Sequence, residues 1–249
     1  MIATIAPRFA RLPPLQRRLW PELRPSARLG LVLYGGTAIS LHLGHRRSLD
    51  FDFFTDKALD KGAIRAAFAF TRQATTLQDS ADTLVVLAHA SRSAGGQNVK
   101  VSFFGGLSFG RVGDPLLTDD GVLEVASLDD LMAHKLKVIL QRPERKDYED
   151  LAAMLQAGCT LARGLAAARL FFGKAFQPAE SLKAMVYFRD GNLAGLGPRD
   201  RATLIEAASA VGELPAVTLR SKRLAIPVAG SEGPGGSAAP AKRSRSRRR

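Results

Sequence analysis

Residues 31–54 read LVLYGGTAISLHLGHRRSLDFDFF, and this segment indicates the fold class. The apolar run 31–34 predicts a short buried strand, and residues 37–44 predict a helix that ends at Gly44. Residues 48–54 alternate polar and apolar side chains, which is typical of a strand with two different faces. A strand, a glycine turn, a helix and a second strand in this order predict an α/β unit.

The second predicted strand carries two acidic residues. Side chains two positions apart lie on one face of a strand, so Asp50 and Asp52 share one face while Leu49, Phe51 and Phe53 share the other. Adjacent carboxylates repel each other unless a cation neutralises them. Mg²⁺ prefers such oxygen ligands and completes its shell with water and substrate phosphates. The pair therefore predicts a Mg²⁺ site.

Two glycines, Gly35 and Gly36, open the predicted helix, which begins near Thr37. Glycine lets the backbone approach a phosphate closely, and a helix N-terminus offers free N–H groups and the positive end of a dipole. Thr37 adds a hydroxyl donor. A phosphate-binding turn beside a pair of metal-binding carboxylates is the layout of phosphoryl or nucleotidyl transfer. An NTP is the substrate that this layout predicts.

The sequence after this motif changes in composition. Residues 84–90 and 98–104 predict two strands joined by a hairpin loop, which gives the first half a mixed sheet and an α+β or α/β fold. Residues 127–212 predict five helices, of which the first is capped by Ser127. The predicted domains are a basic N-terminal segment (1–29), a core domain (30–126), a helical C-terminal domain (127–228) and a disordered basic tail (229–249).

The net charge of +13 over 249 residues is concentrated at the two ends. Residues 1–29 carry +5 and residues 241–249 carry +6, which leaves +2 for everything between them. A folded domain that binds nucleic acid through many phosphates is usually basic itself. The net charge of the whole chain is therefore weak support for a nucleic-acid substrate. The sequence has no apolar run long enough for a membrane span and no continuous secretory segment, and it predicts a cytoplasmic protein without membrane contact.

The strand–GG–helix–D-x-D motif resembles the nucleotidyltransferase superfamily that includes DNA polymerase β. More closely, GGTAISLHLGHRRSLDFDFF resembles the AbiEii/AbiGii toxins, the nucleotidyltransferases of type IV toxin–antitoxin and abortive-infection systems. Residues 134–155, HKLKVILQRPERKDYEDLAAML, are similar to the later lysine and K/R-D-x-x-D-L segments of that family. The resemblance covers roughly residues 30 to 190 and implies a polymerase β-like core followed by a helical bundle.

The resemblance also implies roles for single residues. Gly35, Gly36 and Thr37 would contact the nucleotide phosphates, and Asp50 and Asp52 would be catalytic ligands of Mg²⁺.

In the second half, the resemblance implies that Lys135 would be a catalytic residue reaching the triphosphate, although Lys137 competes for this role. Asp147 would be a catalytic or positioning acid, and Asp150 lies one helical turn further on the same face. The alternative for Asp147 and Asp150 is surface pairing with Arg145 or Lys146.

Two further positions stay open. Arg47 is either part of a polar loop or a nucleotide-binding residue that pairs bidentately with a phosphate or an active-site carboxylate. Polymerase-like enzymes commonly carry a third carboxylate on a neighbouring strand, and in residues 98–104 its expected place is Ser102. Either Asp147 substitutes for it, or one metal binds tightly, or the enzyme is degenerate.

Three functions are compatible with these residues. The first is a toxin that adds nucleotides to RNA, with a tRNA as a possible acceptor and a cognate antitoxin as a possible partner. The second is a nucleotidyltransferase that modifies a small molecule or a protein. The third is a degenerate protein that binds nucleic acid through its basic ends, against which the intact Asp50 and Asp52 argue.

Overall fold

A mixed eight-stranded sheet forms the centre of the described chain, which in this computed structural model comprises residues 3–89 and 98–227. The order of its strands is β1-β7-β8-β2-β3-β6-β5-β4. The strands are β1 (Thr4–Ile5), β2 (Val32–Tyr34), β3 (Asp50–Phe54), β4 (Thr75–Ser80), β5 (Thr83–Ala88), β6 (Val99–Phe104), β7 (Leu116–Thr118) and β8 (Glu124–Val125). The α-helices are α1 (Pro14–Leu19), α2 (Gly35–Leu43), α3 (Lys61–Ala67), α4 (Leu128–Val138), α5 (Arg145–Gln156), α6 (Leu161–Phe172), α7 (Pro178–Val186) and α8 (Pro198–Ser209). The predicted α+β class is confirmed.

The centre of the sheet is the predicted motif. β2 leads directly into α2, and β3 returns antiparallel to β2 with Tyr34 opposite Asp52. β6 then pairs parallel to β3, so that Lys100 lies opposite Asp50 and Ser102 lies opposite Asp52. This register places the polar faces of β3 and β6 side by side.

The apolar faces of β3 and β6 point into the core. Phe51 and Phe53 are fully buried, as the alternation predicts. The prediction for Leu49 is wrong: β3 begins at Asp50, and the Leu49 side chain lies before the strand, where it is 50% exposed. On β6, Val101 and Phe103 are likewise buried.

Five α-helices follow β8 within the described residues, and this confirms the helical second half. The Ser127 hydroxyl accepts a hydrogen bond from the Asp130 backbone N–H at 3.1 Å and caps α4. α5 packs on both α4 and α8, and α2 packs on both α4 and α5. The helix that begins at the glycine turn is therefore the link between the sheet and the helical half.

The two ends of the described chain also join the core. Leu15, Trp20 and Leu23 of the N-terminal segment are buried, and β1 pairs parallel with β7. After α8 the chain returns to the sheet without further helix, where Leu224 is buried and its N–H donates to Asp56. One continuous hydrophobic core contains side chains from every predicted domain that is described, and the division into domains stays a prediction.

Two predicted features, the hairpin loop 91–97 and the tail 229–249, lie outside the described residues. Among the helices that are described, none is long and apolar enough to cross a membrane.

Candidate active site

A cavity of about 650 Å³ opens where the polar faces of β3 and β6 meet the helical half. The sheet contributes Asp50, Asp52, Lys100 and Ser102 to its lining. The other lining residues that bear on the chemistry are Gly36 of the glycine turn, Arg46 and Arg47 of the loop after α2, and Lys135, Arg142 and Lys146 of the helical half. The cavity thus combines two carboxylates with six cationic side chains.

The two carboxylates differ in their surroundings. Asp50 is paired with Lys100, whose Nζ lies 3.2 Å from Asp50 Oδ2. Burial raises the pKa of Asp52, a hydrogen bond with Ser102 opposes this rise, and the neighbouring negative charge of Asp50 adds to it. The site therefore holds a desolvated carboxylate beside a second one, and a cation bound between them would stabilise both in the charged state.

The donor set suits a hard divalent cation that takes few protein ligands. Within residues 3–89 and 98–227, no group of three or more His, Cys, Asp or Glu side chains is placed to hold a metal ion. Mg²⁺ needs no such group, because it is commonly held by one or two carboxylates together with water and substrate phosphates. Asp50 and Asp52 fit that pattern, and Ser102 stands where a third carboxylate was considered.

The glycines at the start of α2 are required by close contacts. Gly35 has φ +74°, and a Cβ there would lie 2.6 Å from Asp52 Oδ2. At Gly36 a Cβ would lie 2.5 Å from Nη2 of Arg46. The bare backbone therefore lets an active-site carboxylate and a guanidinium approach the first turn of the helix, whose N–H groups favour anions.

Thr37 has a different place from its neighbours. Its side chain is buried, and its hydroxyl donates a hydrogen bond to the backbone carbonyl of Asp50. This bond ties the first turn of α2 to the start of β3, so the hydroxyl helps to position the carboxylates. The part of Thr37 that could meet a phosphate is its backbone N–H.

Lys135 is the lysine of α4 that faces the cavity. Its side chain is only 8% exposed, and its Nζ lies 2.5 Å from Asp147 Oδ1 and 2.7 Å from Asp150 Oδ2. Lys137 instead donates to the carbonyl of Ala175, away from this cavity. Two buried carboxylates thus hold one ammonium group at the cavity wall.

Asp147 and Asp150 are both fully buried on α5. Asp147 accepts hydrogen bonds from Lys135 and from Arg142, whose Nε lies 3.0 Å from its Oδ2. Asp147 lies behind these two cations and is not itself part of the cavity lining. This geometry suits a positioning acid, because the carboxylate is already engaged by two charged donors.

Asp150 organises the loop that follows α2. Arg46 donates from Nε and Nη2 to its two oxygens at 2.6 and 2.7 Å, and His45 Nε2 lies 2.7 Å from Oδ1. Burial alone would raise the pKa of Asp150, but the hydrogen bond with His45 and the charges of Lys135 and Arg46 hold it well below its usual range. The acid is therefore ionised and fixed.

The surface pairing that was considered for these two acids is absent from the described structure. Arg145 pairs with Glu149 at 3.1 Å, and Lys146 pairs with Glu144 at 2.7 Å.

Of the predicted site residues, the cavity lining contains Gly36, Arg47, Asp50, Asp52 and Lys135, and it does not contain Gly35, Thr37 or Asp147. Arg47 is exposed and lines the cavity, while its neighbour Arg46 makes the bidentate pair with a carboxylate. Lys100 and Arg142 were not predicted as site residues. Lys100 could have been identified from the sequence, because it lies two positions from Ser102 and therefore on the same face of the predicted strand 98–104. Arg142 carried no comparable signal, since only the fold brings it to Asp147.

Comparison with known structures supports the fold. A candidate nucleotidyltransferase from H. pylori superposes with a TM-score of 0.52 at 18% identity, covering 78% of this chain and 90% of that one. JHP933 from Helicobacter pylori superposes with a TM-score of 0.53 at 17% identity, covering 78% of this chain and 88% of that one. At these identities the likeness concerns the fold alone.

Sequence comparison supplies the family. An uncharacterized protein of Aquifex aeolicus (strain VF5), aq_aa25, is 33% identical over 121 residues, which are 48% of this chain. The match spans only about half of that relative, 54% of its length. The model of the nucleotidyl transferase AbiEii toxins of type IV toxin–antitoxin systems matches residues 19–207, which include the glycine turn, both strand carboxylates and the acids of α5. The chain therefore belongs to the AbiEii nucleotidyl transferase toxin family.

Proposed function

We propose that the chain is a Mg²⁺-dependent nucleotidyltransferase that transfers a nucleoside monophosphate from an NTP to an RNA acceptor, with tRNA as the first candidate. The observation that carries this proposal is the position of Asp50 and Asp52 on one face of β3, at a cavity lined also by Gly36 of the glycine turn and by six cations. Family membership supports the reaction class and a role as the toxin of a type IV toxin–antitoxin pair.

Each part of the cavity has a task in this reaction. Asp50 and Asp52 would hold Mg²⁺, which supplies charge neutralisation at the reacting phosphate when bound. The first turn of α2, with Gly35, Gly36 and the N–H of Thr37, would hold phosphate oxygens. Lys135, kept at the wall by Asp147 and Asp150, would add a fixed positive charge to the triphosphate site.

The buried ion network makes Lys135 a preorganised donor. Its ammonium group is nearly excluded from water and is held by two carboxylates that are themselves bound by Arg142 and Arg46. Donors fixed in this way need little rearrangement when charge develops on the substrate. Asp147 contributes by positioning Lys135 and Arg142 rather than by taking a proton in the described geometry.

The rim of the cavity favours an acidic polymer as the acceptor. Arg47 is exposed there, and the side chains of Arg142 and Lys146 are each 46% exposed. Cations at such a rim attract phosphates of a polynucleotide while leaving the inner cavity to the triphosphate. Small-molecule and protein acceptors are the alternatives, and the assay below separates a protein acceptor from RNA.

The proposal is tested by incubating the purified protein with each α-labelled NTP and total RNA, with Mg²⁺ or with EDTA. The expected result is a labelled RNA band that requires Mg²⁺, resists protease and disappears with ribonuclease. Label that survives ribonuclease and is lost with protease would replace the RNA acceptor with a protein. Absence of any labelled product with all four NTPs would contradict the proposed activity.

A further inference from the structure

Lys100 lies on β6 beside the proposed metal-binding pair, two residues before Ser102, the place expected for a third carboxylate. In the register of β3 and β6, Lys100 is directly opposite Asp50, and Ser102 is opposite Asp52. Its Nζ lies 3.2 Å from Asp50 Oδ2, and the two side chains are 42% and 37% exposed. A cation therefore sits against a carboxylate that the proposed function assigns to a metal.

Three other cations of the cavity are bound to buried carboxylates. Lys135, Arg46 and Arg142 are held by Asp147 and Asp150, which are fully buried. Among the ion pairs of the described residues, the carboxylate that Lys100 contacts is Asp50, which is itself half-exposed. Lys100 is thus a cation of the cavity that can leave its partner without leaving a buried charge unpaired.

We propose that Lys100 is a triphosphate-binding residue that neutralises Asp50 until a nucleotide arrives. The proposal rests on the assignment of Asp50 and Asp52 to the metal. A lysine ammonium on its flexible stem can turn from one oxygen ligand to another within the same cavity. The phosphates of the nucleotide then bind the Lys100 ammonium group, and Asp50 becomes free to bind the divalent cation.

This exchange couples the metal to the nucleotide. Lys100 opposes a divalent cation at Asp50 when the cavity contains no nucleotide, because both are positive. A triphosphate removes that opposition and adds oxygen ligands of its own. The site should therefore bind the metal weakly alone and more tightly with nucleotide, and by linkage the metal should strengthen nucleotide binding by the same factor.

The test measures binding and needs no turnover. Isothermal titration of Mn²⁺, and of an α,β-methylene NTP that cannot be cleaved, compares wild type with Lys100→Met. We expect Mn²⁺ alone to bind Lys100→Met about two- to fivefold more tightly, as loss of a partly exposed ion pair implies. We expect the NTP analogue to bind it about tenfold more weakly, as loss of a charged donor implies. Lys183→Met, at a side chain 74% exposed on α7, is the matched control.

Lys100→Arg separates a charge effect from a change in local packing. It keeps the positive charge and is expected to retain affinity for the analogue within about threefold of wild type. Lys100→Met that binds both Mn²⁺ and the analogue like wild type would overturn the role of Lys100 while leaving the proposed function intact. Failure of wild type to bind either ligand would overturn the proposed function and this inference together.

Discussion

Arg46 and Asp150 are separated by 104 residues and form a two-point ion pair, with Arg46 Nε and Nη2 at 2.6 and 2.7 Å from the two oxygens of Asp150. The pair joins the loop that leads into β3 to the second helix of the C-terminal half. Asp150 also contacts Lys135, so the same carboxylate orients a residue from each half of the cavity. The ionic network of α5 thereby fixes the cavity wall on which the proposed reaction depends.

Removing the charge of Asp150 should therefore weaken the whole fold. Asp150→Asn leaves Arg46 and Lys135 with a buried partner of reduced charge, and we expect a loss of about 3 kcal/mol or more in the free energy of unfolding. Urea denaturation measures this loss. Glu149→Gln on the same helix breaks the exposed pair with Arg145 and should cost less than about 1 kcal/mol. Equal losses for the two variants would contradict the structural role of the network.

Substitution of the two β3 carboxylates should lower activity and leave stability nearly unchanged. Asp50→Asn and Asp52→Asn are expected to lower nucleotidyl transfer by about a thousandfold or more while leaving the fold intact, because each removes a presumed metal ligand. Asp52→Asn also relieves repulsion between the pair, so its thermal midpoint should stay close to that of wild type or rise. Asp50→Asn relieves the same repulsion but loses the partly exposed ion pair with Lys100, so its midpoint should change little. Wild-type turnover by both variants would refute the metal assignment.

Gly35 can be compared with Gly173, another glycine with a positive φ. Gly35→Ala puts a Cβ 2.6 Å from Asp52 Oδ2, whereas Gly173, with φ +53°, has no such neighbour within 4 Å. Both alanine variants should lose about 1 kcal/mol or more through backbone strain at positive φ. Only Gly35→Ala should also lose transfer activity, since it displaces Asp52. If Gly35→Ala kept full activity, the close approach of the backbone to the carboxylate would have no functional part.

His134 should make the protein sensitive to acid. Burial lowers its pKa from 6.5 to about 3, among the aromatic rings of Tyr34, Phe54 and Phe109. Below pH 6.5 the unfolded chain binds a proton at this histidine that the folded chain does not, so stability falls as pH falls.

The contribution of His134 to the pH dependence of stability can be measured by replacing this residue. Between pH 6.5 and 4.5 His134 should account for a loss of about 2 kcal/mol. His134→Phe should lose less stability than wild type over this range, as measured by urea denaturation at both pH values. Any packing change shifts both values alike and does not enter the comparison. An unchanged pH dependence would mean that His134 is protonated in the folded state.

Deletion of residues 229–249 should leave transfer to a saturating acceptor unchanged. Every residue assigned to the cavity precedes them, and Leu224 and its contact with Asp56 remain in the shortened chain. The deletion removes the charge of +6 carried by residues 241–249, so affinity for RNA should fall and become less sensitive to salt. Loss of activity at saturating acceptor would place the tail within the active site.

The centre of the fold was predictable because its signals are local. The alternation in DFDFF sets the two faces of β3, and glycines mark the ends of several helices. The N-terminal segment was harder, because its arginines and prolines obscure the apolar spacing of Leu15, Leu19 and Leu23. Strands of two or three residues such as β7 and β8 carry no periodicity to detect.

The sequence indicates which residues are candidates for the site, but contacts between distant segments determine which of them pair with each other. The sequence places Arg46 and Arg47 side by side, and only the packing of α5 determines that Arg46 turns to the buried carboxylate. Similarly, the sequence predicts an acid at Asp147 that faces the cavity, whereas the fold buries Asp147 behind Lys135 and Arg142, and the second of these contacts depends on the turn between α4 and α5. Such choices lie in tertiary geometry rather than in residue type or spacing.

The most direct measurement uses the same NTP labelled at either the α- or the γ-phosphate, with wild type and Asp52→Asn in parallel. We expect wild type with Mg²⁺ to incorporate the α-label into the acceptor and to release the γ-label with pyrophosphate, and we expect Asp52→Asn to do neither. Incorporation of the γ-label would show phosphoryl transfer, and incorporation of the α-label by Asp52→Asn at the wild-type rate would show that the reaction does not use the carboxylates of β3.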